Sequence, residues 1–200
     1  HITEAKNVHM EHLEDELFNT GYAGGKAAVA FLESLVEMLS GTTSSTTKIT
    51  VKWDGAPAVF VGTNPENGKF FVASKSLFNK TPKINYTNAD IDVNHSGGLT
   101  AKLKVALKEL PALGIKGILQ GDIMFTKGDT TTKKVGGEPM LTFQPNTIMY
   151  AIPSDSDLAS EIENAEIGVV FHTEYTGDTI AELSASYGPS ISYLTKTSKV

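Results

Sequence analysis

The spacing of hydrophobic positions changes period along this chain, and the change divides it. Met10, Leu13 and Leu17 recur at helical spacing, which predicts a short amphipathic helix over residues 8–18. Gly21, Gly24 and Gly25 are expected to interrupt it. A longer helix is then predicted from about Lys26 to Leu39, because Ala28, Phe31, Leu32, Leu35, Val36 and Leu39 form a wide apolar stripe. Gly41 follows as a C-cap, and the Ser/Thr-rich stretch 42–47 reads as a loop. Beyond it the period falls to two. Ile49, Val51 and Trp53 alternate with Lys48, Thr50 and Lys52, which predicts a half-buried strand with both lysines on one face. Residues 58–61 and 69–74 are apolar, β-rich runs around a Gly/Asn/Pro loop, the pattern of a hairpin.

Residues 79–99 are polar and read as a long irregular segment, followed by a helix from about Thr100 to Glu109 that stops before Pro111. Residues 115–125, 143–152 and 167–172 supply further strands, with a short helix predicted over 154–164. The fold class expected is α+β, with mostly antiparallel sheets and flanking helices. The expected division is a helical preface, residues 1–45, and a second domain, residues 46–200.

Composition narrows the chemistry. With 200 residues, 40% of them hydrophobic, the chain can bury a substantial core. The absence of cysteine excludes disulfides, thiolate metal sites and a cysteine nucleophile, and suits a reducing cytoplasm. No apolar run approaches a membrane span, and Glu33 and Glu37 break the most apolar helix, so no membrane partner is expected. No secretory signal is visible. A formal net charge of −6 argues against a general nucleic-acid coat, yet a local basic groove remains compatible with it. Oligomeric state is not legible.

Several motif-like fragments fail on inspection. Gly24-Gly25-Lys26 follows a helix instead of a strand and lacks the metal-binding hydroxyl of a phosphate loop, since Ala27 stands there. His9 and His12 do not share a helical face at the spacing a zinc site uses. Asp90, Asp92 and Asn94 alternate like a calcium loop, but His95 replaces the required glycine and no glutamate closes the loop, so a polar turn is expected. His172-Thr173-Glu174-Tyr175 is placed at a strand end, where sites occur, although a lone histidine is more often structural.

Lys52-Trp53-Asp54-Gly55 survives this filter. Asp-Gly between apolar runs is also a common turn, so four residues alone carry little. Their companions carry more. The segment resembles the nucleophile motif of the covalent nucleotidyltransferases: ATP-dependent DNA ligases, RNA ligases and mRNA capping enzymes. Residues 70–76, ending in Ser74-Lys75-Ser76, resemble the next motif in its RNA-ligase form. Residues 118–125, around Gly121-Asp122, are similar to the apolar-x-Gly-acid strand, with Asp where Glu is usual. Residues 147–152 are similar to the strand whose aromatic residue stacks on the base, here Tyr150. The matches keep the family's order and cover about residues 48–152.

The resemblance implies a ligase-like nucleotidyltransferase domain, related to ATP-grasp architecture, with ATP and Mg2+ as cofactors. Lys52 would attack the α-phosphate of ATP to form a lysyl-adenylate, and the adenylate would pass to a nucleic acid with a 5′-phosphate end. An ordinary lysine, with a pKa near ~10.4, is protonated at neutral pH. Lys48 and Lys75 would supply the positive field that lowers it. Asp54 would orient the amine or hold the metal ion, and Gly55 would let the backbone approach the nucleotide. Asp122 would bind ribose hydroxyls or assist the metal, and Tyr150 would stack on the purine, ATP and GTP alike. Trp53, Ser74, Lys75 and Glu166 complete the expected nucleotide-binding set.

The departures are specific. Pro57 stands where DNA ligases and capping enzymes place Arg, which tilts the comparison toward RNA ligases. Glu166-Ile167-Gly168-Val169-Val170 approximates the fourth motif with an intervening residue, and Lys196-Thr197-Ser198-Lys199 is an imperfect fifth. The start at His1 and the end at Val200 suggest a truncated piece, with the remaining motifs beyond Val200. Across nearly its full length the chain also resembles a family of unsettled activity encoded by tailed phages. The segments that carry this are Glu11-His12-Leu13-Glu14-Asp15, residues 52–60, Pro145-Asn146-Thr147-Ile148 and residues 172–177. That implies the cytoplasm of an infected bacterium. The alternative to an enzyme is a non-catalytic phage protein that keeps the ligase fold to bind nucleotide or nucleic acid. A third reading, an α+β structural protein with a coincidental turn, predicts that Lys52, Ser74, Asp122 and Tyr150 do not line one pocket.

Overall fold

The computed structural model describes residues 13–41 and 53–200. The chain divides into two compact units, His1–Val51 and Lys52–Val200. Lys48 and Lys52, with the strand predicted around them, and His9 and His12 lie outside the described residues.

The first unit pairs a short helix, α1 (Asp15–Thr20), with a longer one, α2 (Tyr22–Leu39). Gly21, at φ 61°, makes the break between them. Gly24 and Gly25 were expected to interrupt the helical pattern, but both lie inside α2. The reason is packing. A Cβ on Gly24 would run into the Glu16 carbonyl and the Thr20 hydroxyl of α1, so only glycine lets the two helices approach this closely.

The second unit is built on a five-stranded antiparallel sheet in the order β2-β1-β3-β7-β8. Its strands are β1 (Ala58–Thr63), β2 (Phe70–Ala73), β3 (Ile118–Thr126), β7 (Ile167–Thr176) and β8 (Ser184–Tyr187). A second, three-stranded sheet, ordered β4-β5-β6, is formed by β4 (Thr131–Val135), β5 (Glu138–Phe143) and β6 (Tyr150–Pro153). The unit is α+β with antiparallel sheets and flanking helices, as the periodicity predicts.

Alternation along β1 and β3 sends side chains to two different cores. Val59, Val61, Leu119 and Ile123 point to one face, where they pack with Leu103 and Ala106 of α4 (Gly98–Glu109), Leu110 just after it, and Ile91 of α3 (Asn88–Asn94). Phe60 and Ile118 point to the other, with Phe71, Leu77 and Tyr175. A smaller cluster of Met124, Phe125, Phe143 and Ala165 joins β3 to the second sheet and to α5 (Asp157–Asn164). Each fully buried Leu or Ile contributes about 1.5–3 kcal/mol.

Two predicted elements need correction, and others were not foreseen. The segment read as irregular contains α3, started by a reciprocal capping box: Thr87 Oγ1 accepts from the Asp90 N–H while the Asp90 carboxylate accepts from the Thr87 N–H. Asp90, Asp92 and Asn94 therefore sit in a helix, not in the polar turn expected. The single strand predicted over 143–152 is instead the end of β5, a loop and then β6, because Gln144, Asn146 and Ile148 are tied into a turn by side-chain bonds. The β4–β5 hairpin and β8 escaped sequence reading. Residues 131–135 are almost wholly exposed and lack the apolar alternation that marks a strand.

Candidate functional site

Gly55 is the hinge of the site. The Ala56 N–H donates to the Ile123 carbonyl and the Ile123 N–H to the Pro57 carbonyl, both at 3.0 Å, so the chain before β1 is already laddered onto β3. That contact brings Gly55 against β3 with no space to spare. A Cβ there would lie 2.7 Å from Asp122 Cβ, 2.8 Å from Met124 Sδ and 2.9 Å from the Ile123 carbonyl oxygen. Glycine at this position is a requirement of close approach.

Asp54 is held from the other sheet. Its N–H donates to the Tyr150 hydroxyl at 2.9 Å, the same hydroxyl donates to the Asp54 carbonyl at 3.2 Å, and Asn146 Nδ2 donates to Asp54 Oδ2 at 2.8 Å. The Tyr150 ring lies 5.3 Å from Phe143, nearly parallel, and 5.3 Å from the tilted ring of Trp53. Tyr150 thus fixes the Trp53–Asp54 main chain through its hydroxyl, and its ring packs with two other aromatics. Trp53 remains 45% exposed, which makes it the open aromatic surface of the cluster.

Asp122 faces the side of the sheet away from α4, opposite Ala58 on one side and Val170 on the other. Its side chain is 17% exposed, and His172 Nε2 stands 3.9 Å from Asp122 Oδ1. His172 is there because of a bulge. Gln120 pairs with Thr173 and Gly121 with Phe171, so His172 is an extra residue in β7 that the irregularity re-aims. It lies within a ten-residue strand, not at a strand end as expected. His172 Nδ1 is 2.8 Å from Thr173 Oγ1. On the same face the Tyr175 hydroxyl donates to Gln120 Oε1 at 2.8 Å; burial, with Tyr187 nearby, pushes that phenol up to about 12.

The remaining predicted residues fall in two places. Ser74 caps a short 3-10 turn (Lys75–Phe78), accepting from the Ser76 N–H. Phe60 pairs with both Ala73 and Gln120, so Ser74 emerges at the same end of the sheet as Asp122, two strands or roughly 10 Å away. Lys75 is exposed there. Glu166 is elsewhere. It precedes β7 four residues before Val170, roughly 13 Å along the strand from the Asp122 level. Its carboxylate accepts from Lys127 Nζ at 2.9 Å and lies 3.6 Å from Lys199 Nζ. The Lys127 hydrogen bond, then the charges of Lys127 and Lys199, hold it below the ordinary carboxylate value. Lys196 lines a cavity of about 490 Å³ beside α5, apart from Asp54.

The structure therefore brings Trp53, Asp54, Gly55, Asp122 and Tyr150 together, sets Ser74 and Lys75 at the same sheet end, and separates Glu166. Sequence reading missed Asn146 as the partner of Asp54 and His172 as the neighbour of Asp122. Only tertiary pairing joins residues so far apart in the chain. The Asp122 carboxylate makes no hydrogen bond among the described residues, and Asp54 has one carboxylate oxygen without a hydrogen bond. Among the described residues no group of three or more His, Asp or Glu converges as a metal site, and no helix is long and apolar enough to cross a membrane.

No curated protein and no solved structure matches the chain. A family model does match, over residues 7–200, and the chain belongs to that family: the family of unknown function DUF6267.

Proposed function

We propose that the second unit is a ligase-like nucleotidyltransferase in which Lys52 takes AMP from ATP, with a nucleic-acid 5′-phosphate end as acceptor and an RNA-ligase-like activity preferred. The observation that supports it most is the packing of Gly55 on Asp122. Two motif fragments distant in the chain meet there with no room for a side chain between them, which a coincidental turn does not require. The amine would attack the α-phosphorus as the bond to pyrophosphate breaks, giving a phosphoramide. Tyr150 and Asn146 act by holding the Asp54 segment rigid beside Lys52. Trp53 supplies the exposed aromatic face for the base, a task its position suits better than that of Tyr150. Asp54 and Asp122 would hold a magnesium ion, which supplies charge neutralisation at the phosphates.

The Asn146–Asp54 bond and the aromatic packing of Tyr150 equally favour a second reading, a non-catalytic nucleotide-binding module. Intact mass after incubation with ATP and Mg2+ separates the two. One added adenylate, absent in Lys52→Ala, supports the enzyme. No adduct together with nucleotide-dependent thermal stabilisation supports the module.

A further inference from the structure

A second polar site lies beside the first. A cavity of about 150 Å³ is lined by residues that include Lys102 of α4, Asp129 of the β3–β4 turn, and Thr131 and Lys133 of β4. Met124 and Phe143, which touch Gly55 and Tyr150 respectively, also face it, so it adjoins the Asp54 cluster.

Its charges do not cancel. Lys102 Nζ donates to Asp129 Oδ2 at 3.0 Å, and the same oxygen accepts from the Thr126 N–H and hydroxyl. Burial pushes the Asp129 carboxyl up, but the bonds from Thr126 and Lys102 outweigh it and keep the group below its ordinary value, ionised. Lys102 and Asp129 thus balance each other. Lys133 enters no ion pair among the described residues, and it leaves the cavity with one uncompensated positive charge in a chain of net charge −6.

The donors free to meet a ligand are the ammonium groups. Thr142 Oγ1 donates to the Thr131 carbonyl at 2.8 Å, which leaves the Thr131 hydroxyl as the donor in its 3.3 Å bond to Thr142 Oγ1. Both threonine protons are thus committed, whereas both ammonium groups have N–H bonds to spare. Size then selects the ligand. About 150 Å³ holds about five waters, well short of the roughly 300 Å³ at which pockets enclose whole small molecules. A single tetrahedral oxyanion fits.

We propose that this cavity binds a phosphate group, held by Lys133 and Lys102. Lysine serves phosphate as a point charge and demands no planar match. The site goes beyond the nucleotidyltransferase reading and does not depend on it, since it requires neither Lys52 nor an adenylate.

The test is calorimetric titration of the full chain with inorganic phosphate at low salt. One equivalent is expected to bind. Lys133→Gln should weaken binding about tenfold or more, the effect of removing one charge-assisted hydrogen bond. Lys134→Gln, on the opposite face of the same exposed strand, should leave it unchanged. Lys133 is exposed on an edge strand, so the variant's melting temperature should match the parent's and exclude unfolding. Equal affinity in both variants and the parent, or no binding by the parent, overturns the proposal. ATP weakened by Lys133→Gln, with adenosine unaffected, assigns the site to nucleotide phosphates; an effect on inorganic phosphate alone assigns it to the free anion. Retained phosphate binding in Lys52→Ala keeps this result separate from the adenylation test.

Discussion

Asp122, midway along the β3–β7 pair, and Glu166, just before the start of β7, both belong to the expected nucleotide-binding set, yet they are held by different physics. Around Asp122, Gly55 packs against β3 below 3 Å for any added carbon, and Asp54 is fixed by main-chain and side-chain bonds to Tyr150 and Asn146. Glu166 instead rests on two lysine side chains, Lys127 and Lys199, that are 59% and 51% exposed. Packing and directional bonds set geometry to a fraction of an ångström, whereas exposed ion pairs are soft and screened by salt. Geometry is therefore held more tightly around Asp122 than around Glu166.

The contrast can be broken by substitution, the packed region first. Gly55→Ala forces Asp122, Met124 or the β3 backbone to move, and should cost about 1–3 kcal/mol in urea denaturation, the usual range for overpacking. A change under about 0.3 kcal/mol would show that the approach of Gly55 to β3 is not tight. Tyr150→Phe removes one hydroxyl that bonds Asp54 twice and should cost about 1 kcal/mol, while the near-ultraviolet signal of Trp53 broadens.

The exposed region should respond less, and mainly to solution conditions. Glu166 titrates below its ordinary value of 4.5, so its contribution is complete above that value and disappears as pH falls through the lowered folded value. The stability difference between the parent and Glu166→Gln should therefore shrink in acid, measured by denaturation at about pH 6 and about pH 3. Smallest of all is Glu166→Gln at neutral pH, whose effect should vanish in about 0.5 M salt, where surface charges are screened. A large, salt-insensitive loss there would overturn the contrast.

Much of this was legible because local chemistry is written locally. The apolar, β-rich runs at 58–61 and 115–125 place β1 and β3, since such a run is a property of each segment by itself. The strands at 131–135 and 184–187 were not legible, because exposed residues have no alternation to show. Gly24 was misread for a related reason: a glycine in a helical pattern looks like a break until the partner helix that needs it is known. Asn146 and His172 carried no signal, as a hydrogen-bond partner has no required spacing.

By itself, then, the sequence determined the α+β class, the order of the motif-like segments and the candidate residues, all of which follow from side-chain type and short-range period. Only the tertiary structure decided that Asp54, Gly55, Asp122 and Tyr150 meet, that Glu166 does not join them, and that Lys102 and Lys133 face one cavity. Those are outcomes of strand register and close packing. They depend on which distant segments bury each other's surface, and no local pattern encodes that choice.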